Sequence, residues 1–116
     1  IYLARQCHAT ITGLYVIPLS KPATNSQISH LEKYLLKNAS QFMTKAKTRA
    51  AQNGIVFDDD ITYGNEGPKI ISYANSKSYD IIVIGSRGMG SIKETFLGST
   101  SNYVLHKSKI PILIVK

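Results

Sequence analysis

Asp80-Ile-Ile-Val-Ile-Gly-Ser-Arg-Gly-Met-Gly-Ser-Ile-Lys-Glu-Thr-Phe-Leu-Gly-Ser99 is the stretch that decides the fold. Its apolar run, Ile81 to Ile84, stops at Gly85; Gly88 follows, and then Gly98-Ser99 opens a segment of helical character. A continuous apolar strand of this kind is expected to be buried on both faces, as in a parallel sheet. A strand that runs into glycines and then into a helix start forms a cradle of backbone N–H groups. Such a cradle favours anions, because the first N–H groups of a helix lack intrahelical partners and the helix dipole adds partial positive charge.

Working outward, Ile11 to Ile17 is rich in β-formers and ends at Pro18, which reads as a strand. From about Gln27, Ile28, Leu31, Leu35, Ala39, Phe42, Met43, Ala46 and Ala50 recur at helical spacing, and Asn53-Gly54 supplies a stop. Ile55 to Tyr63 reads as a second strand. Pro68 suits the first turn of a helix with Ile70, Ile71 and Ala74 on its apolar face. After the Asp80 to Ile84 strand, a helix starting at Gly98 or Ser99 offers Tyr103, Val104 and Leu105 to the core, and Ile110 to Val115 closes the chain as a strand. Strands alternating with helices indicate an α/β fold with a parallel sheet. Ile1 to His8 reads as the tail of a helix, and a βαβ order requires a strand before it. The expectation is a single domain over 1–116, shortened at its front, with the first strand of the sheet missing.

Composition narrows the function classes. Hydrophobic residues make up 43% and charged residues 18%, the balance of an ordinary globular protein. No apolar run approaches the ~18 residues of a membrane span, so no membrane association is expected. The single cysteine, Cys7, excludes an intrachain disulfide and suits a reducing, cytoplasmic setting. Cys7 itself reads as a small residue near a helix end. The net charge is +7, but the basic residues are scattered: Lys33, Lys37, Lys45, Lys47 and Arg49 lie along one predicted helix, and the rest are spread over loops. Nucleic acid is not the expected partner, since no recognition motif accompanies them, and they read as solvated lysines.

The glycines do not fit the better-known phosphate loops. No lysine follows a glycine in the Walker A frame, and Gly85, Gly88 and Gly90 invert the dinucleotide fingerprint. The spacing Gly85-x2-Gly88-x9-Gly98-Ser99 instead resembles the nucleotide-binding signature of the universal stress protein family. The resemblance extends along the chain, through Leu3-Ala4, Gly13-Leu-Tyr-Val-Ile17, Gly64 with the helix after Pro68, Tyr79-Asp-Ile-Ile-Val-Ile-Gly-Ser-Arg-Gly88 and Pro111-Ile-Leu-Ile-Val115.

The resemblance implies an open, Rossmann-like sheet of five parallel strands with helices on both faces. It also implies ATP, carried with magnesium, as the bound nucleotide. Gly85 and Gly88 would allow close approach to ribose and phosphates. Gly98 with the N–H groups of Ser99 and Thr100 would hold the distal phosphates, Val16 would contact adenine, and Ile84 would pack against the nucleoside. Arg87 could add charge or simply be exposed, and an N-cap role explains Ser99 as well as a phosphate contact does. For the glycines, turns that pack helix on strand are the alternative. The resemblance further implies a homodimer through the terminal strand, residues 111–116, whose apolar edge invites another chain.

No constellation points to catalysis. His8, His30 and His106 lack the spacing of a metal site or triad, Glu94 reads as solvent-facing, and Asp58-Asp59-Asp60 reads as an exposed strand start. The expected function is an ATP-dependent regulatory or stress-response switch with little intrinsic catalysis. The alternatives are a slow magnesium-dependent ATPase and a nucleotide-free interaction domain.

Overall fold

A computed structural model describes residues 1–18, 29–86 and 98–115 in two compact units, residues 1–64 and 65–116. The predicted Arg87 and Gly88, with Gly90 and Glu94, lie outside the described residues, as do Gln27 and Ile28 of the predicted helix start.

In the first unit, α1 (Tyr2–Cys7) leads into β1 (Ile11–Ile17), then α2 (His30–Gln52) and β2 (Phe57–Tyr63). β1 and β2 pair in parallel, from Ile11 opposite Phe57 to Ile17 opposite Tyr63, with α2 packed against both. A parallel pair requires a crossover, and the apolar period of α2 supplies one. The helix is fixed at each end by local chemistry. Ser29 is the N-cap, its Oγ accepting a hydrogen bond from the Glu32 N–H at 3.1 Å. Asn53 closes the other end, and Gly54 follows with φ at +70°, a left-handed turn that glycine adopts without steric penalty. Ala4, Ala50 and Ile55 form a core flanked by Ile11 and Phe57, and Ile17 and Ala39 are fully buried.

In the second unit, α3 (Glu66–Ser76) is followed by β3 (Ile82–Gly85), α4 (Ser99–Lys107) and β4 (Ile112–Val115). β3 and β4 are parallel, from Ile82 opposite Ile112 to Gly85 opposite Val115. α3 and α4 pack together where Gly67 lies under the Tyr103 ring: a Cβ at Gly67 would stand 2.5 Å from Tyr103 Cδ1. Val104 of α4 is fully buried, and Ala74 is buried on α3.

Helices alternating with parallel strands establish the α/β class. The four described strands form two parallel pairs. Several local expectations shift. β2 begins at Phe57, two residues later than expected, whereas Pro68 lies in the first turn of α3, as expected. β3 is not buried on both faces: Ile82 and Ile84 are half-buried, while Val83 is 57% exposed. Alternate side chains of a strand point to opposite faces, and Val83 stands on the exposed one. Of Tyr103, Val104 and Leu105, only Val104 is buried, because neighbours on a helix point about 100° apart. Leu31 and Phe42 belong to the helical period of α2 yet face outward.

Candidate functional site

The C-terminal end of β3 is joined to the start of α4 by a chain of hydrogen bonds. Ser86 N–H donates to the Val115 carbonyl at 2.8 Å, extending the β3–β4 ladder past Gly85. The Ser86 carbonyl then accepts from Gly98 N–H at 2.6 Å. Ser101, buried in the first turn of α4, donates its hydroxyl to the Gly85 carbonyl. These contacts bring Gly85, Ile84, Gly98, Ser99 and Thr100 to one end of the parallel pair, although residues 81–84 and 98–100 are distant in sequence.

Gly98 is the N-cap of α4, with φ −66° and ψ 165°, and no side chain caps the helix. Ser99 is the first helical residue and is exposed, so the capping role considered for it falls to Gly98 instead. The N–H groups of Ser99, Thr100 and Ser101 have no acceptor within the helix by its geometry. The helix dipole gives this turn partial positive charge, and the turn holds no acidic residue of its own to offset it. One carboxylate approaches from α3: Thr100 Oγ1 donates to Glu66 Oε2 at 3.3 Å.

Of the predicted site glycines, Gly85 and Gly98 are described. Gly98 at φ −66° occupies a region open to any residue, and Gly85 is not among the described positive-φ glycines, which are Gly54 and Gly64. Neither position needs glycine for a left-handed turn. What glycine offers there instead is room for a neighbour to approach the backbone closely.

The remaining predicted residue, Val16, lies in the first unit. It is buried one position before the end of β1, opposite Thr62. At the same end of that pair, Glu32, only 4% exposed, accepts a hydrogen bond from the Tyr63 hydroxyl at 3.2 Å. Burial and the Glu32 carboxylate together hold the Tyr63 phenol above its ordinary pKa. Sequence reasoning did not find Ser86, Ser101, Glu66 or the Glu32–Tyr63 pair. Glu32 alone left a signal, since Ser29-x-x-Glu32 has capping-box spacing, but its carboxylate bonds to Tyr63.

Known proteins resemble this chain over most or all of its length. The Universal stress protein family matches residues 1–116. Universal stress protein YxiE of Bacillus subtilis is 30% identical over 108 residues, covering 93% of this chain and 69% of its own. The structure of universal stress protein UspA from Lactobacillus plantarum superposes with a TM-score of 0.86 at 25% identity, over 99% of this chain and 83% of its own. A family protein from Arabidopsis thaliana, solved with AMP bound, shares the fold at a TM-score of 0.69 and 17% identity, over 94% of this chain and 65% of its own. With parallel strands, intervening helices and a family match from Ile1 to Lys116, this chain belongs to the universal stress protein family.

Proposed function

We infer that this protein binds an adenine nucleotide, ATP with its magnesium, and acts as a nucleotide-dependent switch with little catalysis of its own. The observation that carries the reading is the pairing of Gly98 with the uncapped first turn of α4. A glycine not demanded by its φ precedes three N–H groups without intrahelical acceptors, beside the C-terminal end of a parallel strand. Ligands of open α/β sheets lie at that end of the strands. The AMP-bound relative lends support at the level of the family.

In this reading the N–H groups of Ser99 and Thr100 receive the distal phosphates, and the Ser99 hydroxyl adds a donor. Gly85 and Gly88 leave room for ribose and phosphate, Ile84 packs against the nucleoside, Val16 meets adenine, and Arg87 adds positive charge. Ser101 takes a positioning role, pinning the first turn of α4 to Gly85. A bound nucleotide would supply its phosphate charge to this end of α4, ordering it and altering contacts with partners. Position argues against hydrolysis by the aspartate run, since Asp58 and Asp59 are exposed at the start of β2. We also infer a homodimer through residues 111–116, where Leu113 and Val115 are exposed.

The test is calorimetry with ATP and magnesium on the full-length protein and on Gly98→Val and Ser99→Ala. Binding in the parent, abolished by Gly98→Val and weakened several-fold by Ser99→Ala, supports the reading. A folded parent that binds no nucleotide assigns the chain to the nucleotide-free interaction class.

A further inference from the structure

The outer face of α2 is not used by the nucleotide reading. This helix carries five cations, Lys33, Lys37, Lys45, Lys47 and Arg49, against one acid, Glu32. Glu32 is buried and hydrogen-bonded to Tyr63, so its charge does not offset the exposed surface. Lys47 pairs with Asp59 at 3.3 Å, toward the strands. Lys33, Lys37, Lys45 and Arg49 are exposed and form no ion pair among the described residues.

The apolar residues between these cations make the face unusual. Leu31 is 56% exposed, Tyr34 61% and Phe42 55%. At about 100° per residue, Tyr34, Lys45, Leu31, Arg49 and Phe42 fall within an arc of roughly 80°, and Lys37 lies about 60° beyond it, also exposed. The buried residues Ala39, Met43 and Ala50 lie on the side packed against β1 and β2. One stripe of the helix therefore mixes aromatic and aliphatic side chains with exposed cations that form no ion pair among the described residues, over a helix about 34 Å long.

We propose that this face of α2 docks on an anionic lipid bilayer surface. The sign of its charge is complementary to anionic headgroups, and its aromatic and leucine side chains are of the kind that enter the headgroup boundary. A protein that wraps a basic helix would need its whole circumference, and the inner side of α2 is already buried. A nucleic-acid phosphate backbone would satisfy the cations but leave Leu31 and Phe42 in water. The contact is peripheral: no helix of the described residues is long and apolar enough to cross a membrane.

Sedimentation of the full-length protein with vesicles tests this. The protein binds equimolar phosphatidylcholine and phosphatidylglycerol vesicles and not phosphatidylcholine alone. Each lysine charge near such a surface is worth about five-fold in partitioning, so Lys37→Gln with Lys45→Gln lowers binding about 25-fold. Tyr34→Ser with Phe42→Ser, at unchanged net charge, lowers it about ten-fold or more. Circular dichroism establishes that these exposed variants are folded. Failure of the folded parent to bind anionic vesicles overturns the proposal, as does binding indifferent to Tyr34→Ser with Phe42→Ser. Tighter binding to duplex DNA, weakened by the lysine changes and untouched by the aromatic ones, overturns it in favour of nucleic acid.

Discussion

The Tyr63 hydroxyl donates to Glu32 Oε2 at 3.2 Å, tying the end of β2 to the first turn of α2. The carboxylate is nearly buried, so the phenol is a significant part of its solvation. Tyr63→Phe should cost about 1–3 kcal/mol at neutral pH, measured by urea unfolding. The folded protein holds the Tyr63 proton more tightly than the unfolded chain. That contribution is therefore intact below the ordinary tyrosine pKa of about 10 and is lost as pH rises through the raised value. The Tm difference between parent and Tyr63→Phe should narrow above pH about 10. A difference that stays constant there would show that Tyr63 ionisation is not coupled to folding.

Gly67 is required by the Tyr103 ring. An added Cβ would meet Cδ1 at 2.5 Å, Cγ at 2.9 Å and Cβ at 3.2 Å, atoms near the root of the side chain that cannot swing away cheaply. Overpacking of this kind costs about 1–3 kcal/mol, against roughly 1 kcal/mol gained from helix propensity. Gly67→Ala should destabilise the protein by the difference, up to about 2 kcal/mol. In a Tyr103→Ala background the same change should turn stabilising, and an unchanged sign would place the constraint elsewhere.

Gly13 gives a contrasting case. Its nearest neighbours are Phe57 Cζ at 2.6 Å and Met43 Sδ at 2.9 Å, both toward the ends of side chains that can shift. Gly13→Ala should therefore cost less than Gly67→Ala in the same unfolding assay, about 1 kcal/mol or below.

The elements were largely legible because period and punctuation agree. Ile11 to Ile17 forms a strand over the predicted residues, and Asn53-Gly54 ends α2. Gly98-Ser99 opens α4. Which way a side chain faces was less legible. Leu31 and Phe42 satisfy a helical period that tolerates a wide arc, and the structure alone reveals that they sit outside it. The candidate site was half legible: glycines mark a turn by spacing, whereas Ser101 and Glu66 act through contacts between segments distant in sequence.

Ser99 and Ser101 separate binding from support. Ser101 is buried and bonded to the Gly85 carbonyl, so Ser101→Ala should lower stability by about 1–2 kcal/mol. Ser99 is exposed and caps nothing, so Ser99→Ala should stay within about 0.5 kcal/mol of the parent while weakening nucleotide binding. Equal stability losses in urea titrations would contradict this division.

The terminal strand bears on assembly. Ile112 and Ile114 lie on the half-buried face of β4, while Leu113 and Val115 are exposed. If two copies meet through residues 111–116, Leu113→Lys, on the exposed face, should give folded monomers by light scattering. A dimer that survives would locate the interface elsewhere.

The central claim is that the first turn of α4 holds nucleotide phosphates through backbone N–H groups. The most direct measurement is an ATP titration of the full-length protein, with magnesium, followed by amide NMR. The account predicts saturable shifts largest at Ser99, Thr100 and Ser101, larger for ATP than for adenosine. Saturable ATP binding that leaves those three amides unmoved would contradict it.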